Sequence, residues 1–117
     1  MPLNIAQLME AGLGHHQSGR LQEAESIYQS VLKEEPAHSD ALHLLGVVAH
    51  QLDNNELAVS LIEQAIEINP DEAKFHYNCG GAYQGLGDNE EAIARFKQAL
   101  VLKPDYVEAQ YNLGNVF

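Results

Sequence analysis

The stretch SDALHLLGVVAHQLDNNELAVSLIEQAIEINPDE, residues 39–72, holds two apolar patterns separated by a turn. In the first, Leu42, Leu45, Val48, Ala49 and Leu52 fall on one stripe at the 3.6-residue helical period, not at strand alternation. Ser39 or Asp40 is suited to cap that helix by accepting from its free N–H groups. Asp53, Asn54 and Asn55 are turn formers. The second pattern turns Leu57, Ala58, Leu61, Ile62, Ala65 and Ile66 inward on another helix. Asn69-Pro70 ends it, because proline lacks the N–H and disfavours helix in the residue before it. Asp71 and Glu72 then suit the positive end of a following helix. The stretch predicts a helix–turn–helix hairpin.

The same unit recurs along the chain. Pro36, Pro70 and Pro104 are spaced by 34 residues, and so are Gly12, Gly46, Gly80 and Gly114. Ala24, Ala58 and Ala92 keep the step, as do the turn positions Gly19, Asp53 and Gly87. One hairpin cannot bury its apolar face alone, whereas stacked copies bury a continuous core as a solenoid. Helices are expected near 5–18, 21–34, 39–52, 55–68, 73–86, 89–102 and 107–117.

This pattern resembles the tetratricopeptide repeat family. The family's signature positions 4, 7, 8, 11, 20, 24, 27 and 32 fall on Leu42, Leu45, Gly46, Ala49, Ala58, Ile62, Ala65 and Pro70. The preceding copy supplies Leu8, Ala11, Gly12, His15, Ala24, Tyr28, Val31 and Pro36, and the following one His76, Cys79, Gly80, Tyr83, Ala92, Phe96, Ala99 and Pro104. A last half-copy has Leu113, Gly114 and Phe117. His76 and Gln110 stand where the family often has a large apolar residue, which implies looser contacts there. The resemblance implies an all-α fold, a right-handed α-α superhelix. It makes residues 1–117 one domain with repeats at about 5–38, 39–72 and 73–106 and a partial repeat at 107–117. The half-copy ends on apolar residues without a polar capping helix. The chain is therefore expected to be a piece of a longer protein, or to have its last helix covered by a partner, a second copy included.

Composition narrows the function. Seventeen acidic against six basic residues give a formal net charge of -11. That argues against nucleic acid, whose binding needs clustered Lys and Arg, and against anionic membranes. No stretch approaches the roughly 20 apolar residues of a membrane helix, and the start lacks a basic signal-type region. One cysteine forms no internal disulfide, so a cytoplasmic, reducing compartment is expected.

The segment HYNCGGAYQGLGDNEEA, residues 76–92, looks at first like a phosphate loop. No Lys-Ser or Lys-Thr follows any glycine, the third glycine of a dinucleotide fingerprint is missing, and no strand hosts either motif. Gly80 reads instead as a close-packing position, Gly87 as a turn and Cys79 as a small buried hydrophobe. The six histidines have no zinc-type spacing, although His16 and His50 are repeat-equivalent and could approach each other. No catalytic residues, metal ligands or cofactor site are expected, and the chain reads as a non-enzyme.

In the resembling family the first helix of each hairpin lines a concave groove. That implies a site for a protein or extended peptide at Met9, Leu13, His16, His43, Leu44, Val47, His50, Lys74, Tyr77, Asn78, Gly81, Gln84, Tyr111, Asn112 and Asn115. Ala6, Glu10, Gln17, Asp40, Gln51, Gly85 and Glu108 share the same face. The groove starts apolar (Met9, Leu13, Leu44, Val47) and ends in amides and tyrosines (Tyr77, Asn78, Tyr111, Asn112). The carboxylate clamp of the family's chaperone-binding subtype is not matched: Met9, Leu13, Leu44 and Asn78 occupy its places, and Lys74 alone agrees. The asparagine ladder of the O-linked N-acetylglucosamine transferase arms is matched at Asn78 and Asn112 but not at Glu10 and Leu44. Three readings follow: a peptide-binding scaffold, the substrate-presenting or regulatory arm of a larger transferase-type enzyme, or a homo-oligomer through the uncapped last helix. Gly81 stands where the other repeats have Leu13, Val47 and Asn115, which leaves a gap beside Tyr77 and Asn78 where a ligand is expected to come closest.

Overall fold

The computed structural model describes residues 3–117; Met1 and Pro2, at the start of the expected domain, lie outside the described residues. Seven helices follow in order: α1 (Ile5–Gln17), α2 (Leu21–Glu34), α3 (Ser39–Gln51), α4 (Asn55–Ile68), α5 (Ala73–Gly85), α6 (Asn89–Leu102) and α7 (Val107–Val116). Their ends match the expected ones to within one residue, and no strand occurs among the described residues. Each helix packs on its chain neighbours, α3 also touches α5, and the molecule extends 50 × 25 × 21 Å. This is an all-α solenoid of helical hairpins.

The turns within the hairpins are copies of one device. Gly19, Asp53 and Gly87 have φ of 79°, 64° and 78°. A left-handed residue there lets its own N–H and the next one turn back onto the helix, as Gly19 does to His16 (3.1 Å) and Arg20 to His15 (2.8 Å). Asn54 and Asp53 repeat these bonds onto Ala49 and His50, and Asp88 and Gly87 onto Tyr83 and Gln84. Asn54 and Asp88 then cap α4 and α6 through their side chains, whereas Arg20 at the start of α2 makes no side-chain cap. At the other ends Glu35, Asn69 and Lys103 leave the helical region, with ψ of 86°, 84° and 87°, as residues before proline do.

The core runs between hairpins. Ala24 and Tyr28 of α2 cluster with Leu45 and Val48 of α3. Leu42 of α3 and Ile62 and Ala65 of α4 cluster with Phe75 and Cys79 of α5. A methyl at Gly12, Gly46 or Gly80 would fall 2.6 Å from Tyr28, 2.5 Å from Ile62 or 2.6 Å from Phe96, so glycine sets the helix spacing within each hairpin.

Three sequence expectations are corrected. His38, rather than Ser39 or Asp40, caps α3: its Nδ1 accepts from the Ala41 N–H at 3.1 Å. The imidazole reaches back into the first turn, and Ser39 and Asp40 already belong to the helix. Leu52 and Leu57 are 43 % and 41 % exposed rather than inward. They flank the tight turn between α3 and α4, and helical period alone does not tell a covered turn from an open one. His76 is buried rather than loose, whereas Gln110 is exposed and held by one hydrogen bond. The His76 Nε2–H donates to the Pro70 carbonyl at 2.8 Å, and the Gln110 amide donates to the Pro104 carbonyl at 2.9 Å. Each ties the first helix of a repeat to the proline that precedes it.

Candidate functional site

The odd-numbered helices α1, α3, α5 and α7 carry the expected site residues, and hydrogen bonds stitch these helices together. The Asn78 amide donates to His43 Nε2 at 2.8 Å, and the Asn112 amide donates to the Tyr77 hydroxyl at 3.1 Å. The His16 Nε2–H donates to Gln51 Oε1 at 2.6 Å, while its Nδ1 accepts from the Tyr28 hydroxyl at 3.3 Å. Each link between these helices spans 35 residues, one repeat plus one position. A helical face one repeat on is displaced sideways, so a side chain meets the neighbour next to its own equivalent. His16 and His50 therefore do not pair as the sequence suggested. His50 bonds Asn55 instead.

Two cavities open along this face. One, of about 330 Å³, is lined by His50, Tyr77, Asn78, Gly81, Gln84, Gly85 and Asn112. It contains no carboxylate, lysine or arginine. A methyl at Gly81 would meet only His50 Nε2, at 3.9 Å, so the space above that glycine is open. Gly85 differs: a methyl there would fall 2.5 Å from the Asn55 amide, so glycine leaves room for the Asn55 side chain, which bonds His50 of the cavity wall. The other cavity, of about 540 Å³, is lined by Ala6, Met9, Glu10, Leu13, His38, Asp40, His43, Leu44 and Lys74. His16, Val47, Tyr111 and Asn115 line neither, and Tyr111 is 69 % exposed.

His43 is 4 % exposed and packs against Phe75, with ring centroids 4.5 Å apart and the rings tilted by 34°. Burial, then the nearby Lys74 and His16, push its pKa down to about 4. It is a neutral acceptor for Asn78 and a floor residue, not an open binding group. Burial pushes the Cys79 thiol up to about 12, so it is a packing atom and a poor nucleophile. Among the described residues no group of three or more His, Cys, Asp or Glu is placed to hold a metal. None of the helices is long and apolar enough to cross a membrane.

Sequence reasoning missed Asn55 and the pairing of Gln51 with His16. Asn55 opens an even-numbered helix, and its only sequence signal is Gly85, the glycine whose missing side chain leaves room for it. The 34-residue period also hides the 35-residue links, because it matches equivalent positions rather than touching ones.

The fold and its stitched face define a helical-repeat module. A tetratricopeptide repeat model matches residues 15–77, and a TPR repeat model matches residues 85–117. The chain belongs to the tetratricopeptide repeat family. Neither match describes a catalytic family. The chain is similar in structure to the first TPR of Spaghetti (RPAP3), solved bound to an HSP90 peptide, with TM-score 0.92 and 23 % identity over 96 % of this chain and 89 % of that one. It is similar to a Thermobaculum terrenum O-GlcNAc transferase mutant at 34 % identity and TM-score 0.87, over 99 % of this chain but 23 % of that one. It is also similar to MamA from Desulfovibrio magneticus RS-1, at 26 % identity and TM-score 0.90, over 97 % of this chain and 64 % of that one. No curated protein matches it significantly.

Proposed function

We infer that this chain is a non-catalytic interaction scaffold that holds a protein or extended peptide along the face of α1, α3, α5 and α7. The repeats are taken as 5–38, 39–72, 73–106 and the partial 107–117. One observation carries the reading: bonds from repeat to repeat hold the helices that border two open cavities. Preorganised side chains lose less entropy on binding. Amides and a tyrosine at one end suit a peptide backbone, and the apolar surface at the other suits its side chains. The solved complex of the first RPAP3 repeat domain supports a peptide as ligand for this fold. The residues here differ from a carboxylate clamp, so a different peptide chemistry is expected.

The test is capture from a random peptide library, compared among the parent, Tyr77→Ala and Gly81→Leu. The space above Gly81 accepts a side chain, so Gly81→Leu folds and fills the polar cavity. Reduced capture by both variants supports this site. Unchanged capture moves it elsewhere.

A second reading has its own observation. The 34 % identity with the O-GlcNAc transferase, of which this chain covers 23 %, favours a substrate-presenting or regulatory arm of a larger transferase-type enzyme. Self-assembly through α7 is a third reading, supported by Val107, Tyr111 and Phe117, which are 66 %, 69 % and 78 % exposed. Sedimentation of the parent and of a version with an added polar capping helix separates it from the first two.

A further inference from the structure

The cavity of about 540 Å³ between α1, α3 and α5 has an apolar floor and charged walls. Met9, Leu13 and Leu44 supply its apolar surface. Glu10 and Asp40 border it, and Lys74 stands at its α5 side. Among the described residues both ion pairs belong to Arg95, so none of these three exposed charges is paired within the chain. His43 at the floor is neutral and already accepts from Asn78. Two carboxylates against one ammonium leave the cavity net negative, on a chain whose formal charge is -11.

We propose that this cavity selects an extended peptide segment in which a bulky apolar side chain is flanked by arginine or lysine. The apolar side chain seats on Met9, Leu13 and Leu44. The cation lies toward Glu10 and Asp40 and away from Lys74, which repels it. A second copy of this chain fits less well, because like charge repels and only six basic residues are available to offset it. An acidic segment meets Lys74 alone and two opposing carboxylates. The inference rests on the groove reading above and adds the chemistry of its partner.

The experiment uses three end-blocked peptides that share a leucine and differ in its neighbour: arginine, glutamine or glutamate. Each is fluorescently labelled and titrated with the whole chain. The arginine peptide binds tighter than the glutamate peptide by roughly tenfold at low salt, the size expected of two exposed charge contacts. The preference shrinks as ionic strength rises, since exposed charges are screened. That measurement alters no residue, so it stands even if a variant folds poorly. The double variant Glu10→Gln, Asp40→Asn removes the preference.

Binding of all three peptides without preference for arginine overturns this inference and leaves the groove reading intact. Tighter binding of the glutamate peptide does the same and makes Lys74 the selecting charge. Capture of none of the three overturns both. Self-association that Leu13→Asn abolishes puts a second copy in the cavity and overturns the proposal.

Discussion

Asn78 donates to His43 across one repeat, at 2.8 Å, and the ring that accepts is buried against Phe75. The bond needs a neutral imidazole with a free lone pair on Nε2. Burial, aided by Lys74 and His16, keeps the pKa near 4, below the ordinary value of 6.5. Between those values the unfolded chain binds the proton and the folded one does not, so this group makes stability rise with pH. Its contribution is fully present above about pH 6.5 and is lost as pH falls toward 4. Melts of the parent and of His43→Gln across that window should diverge, with the parent losing more stability on acidification. Parallel curves would show that His43 does not carry this proton linkage.

Two glycines in equivalent helices should respond oppositely to alanine. At Gly80 the new methyl would lie 2.6 Å from the ring of Phe96, which is fully buried. Gly80→Ala is expected to cost about 1–3 kcal/mol by overpacking. At Gly14 nothing lies within 4 Å of the added methyl. There alanine removes only the helix penalty of glycine, so Gly14→Ala should stabilise by about 0.5–1 kcal/mol. Urea unfolding of both variants measures the sign directly.

Arg20 is the odd member of a capping series. The side chains of its equivalents Asn54 and Asp88 accept from Leu57 and Glu91 N–H groups, and the Arg20 side chain cannot accept at all. Arg20→Asp should add the missing cap and place a negative charge at the positive end of α2, for about 1 kcal/mol. The lost Arg20–His15 contact is exposed and offsets little. A rise in melting temperature of a few degrees is expected, and a fall would show that the His15 contact outweighs the cap.

His76 and Gln110 make the same bond in different surroundings. His76 is 4 % exposed, whereas Gln110 is exposed. His76→Ala leaves a cavity and unpairs a part-buried proline carbonyl, so a loss of about 2–3 kcal/mol is expected. Gln110→Ala should cost under about 1 kcal/mol, because water replaces the donor at the Pro104 carbonyl. Equal losses at the two sites would show that burial does not set the difference.

Most of the fold was legible because each repeat carries its own signals. The prolines, the turn glycines and the packing glycines all recur at one period, and local sterics give each a single meaning. Gly80 and Gly87 have the roles their positions suggested. His38, His76 and Leu52 were misread for one reason. A cap, a proline tie and a covered turn depend on how a side chain reaches out of its own helix, and periodicity describes only the helix.

The sequence by itself determined the repeat, the hairpin and the face that each helix turns toward the core, since those follow from steric and hydrophobic rules acting within about 34 residues. Tertiary stacking decided what the open face holds. It offset neighbouring repeats by one position, so that His43 meets Asn78, Tyr77 meets Asn112 and His16 meets Gln51. It buried His43 until the ring became a neutral acceptor, and it gathered Glu10, Asp40 and Lys74 from three helices around one apolar cavity. No local rule contains that offset, because it is set by how two packed hairpins twist against each other.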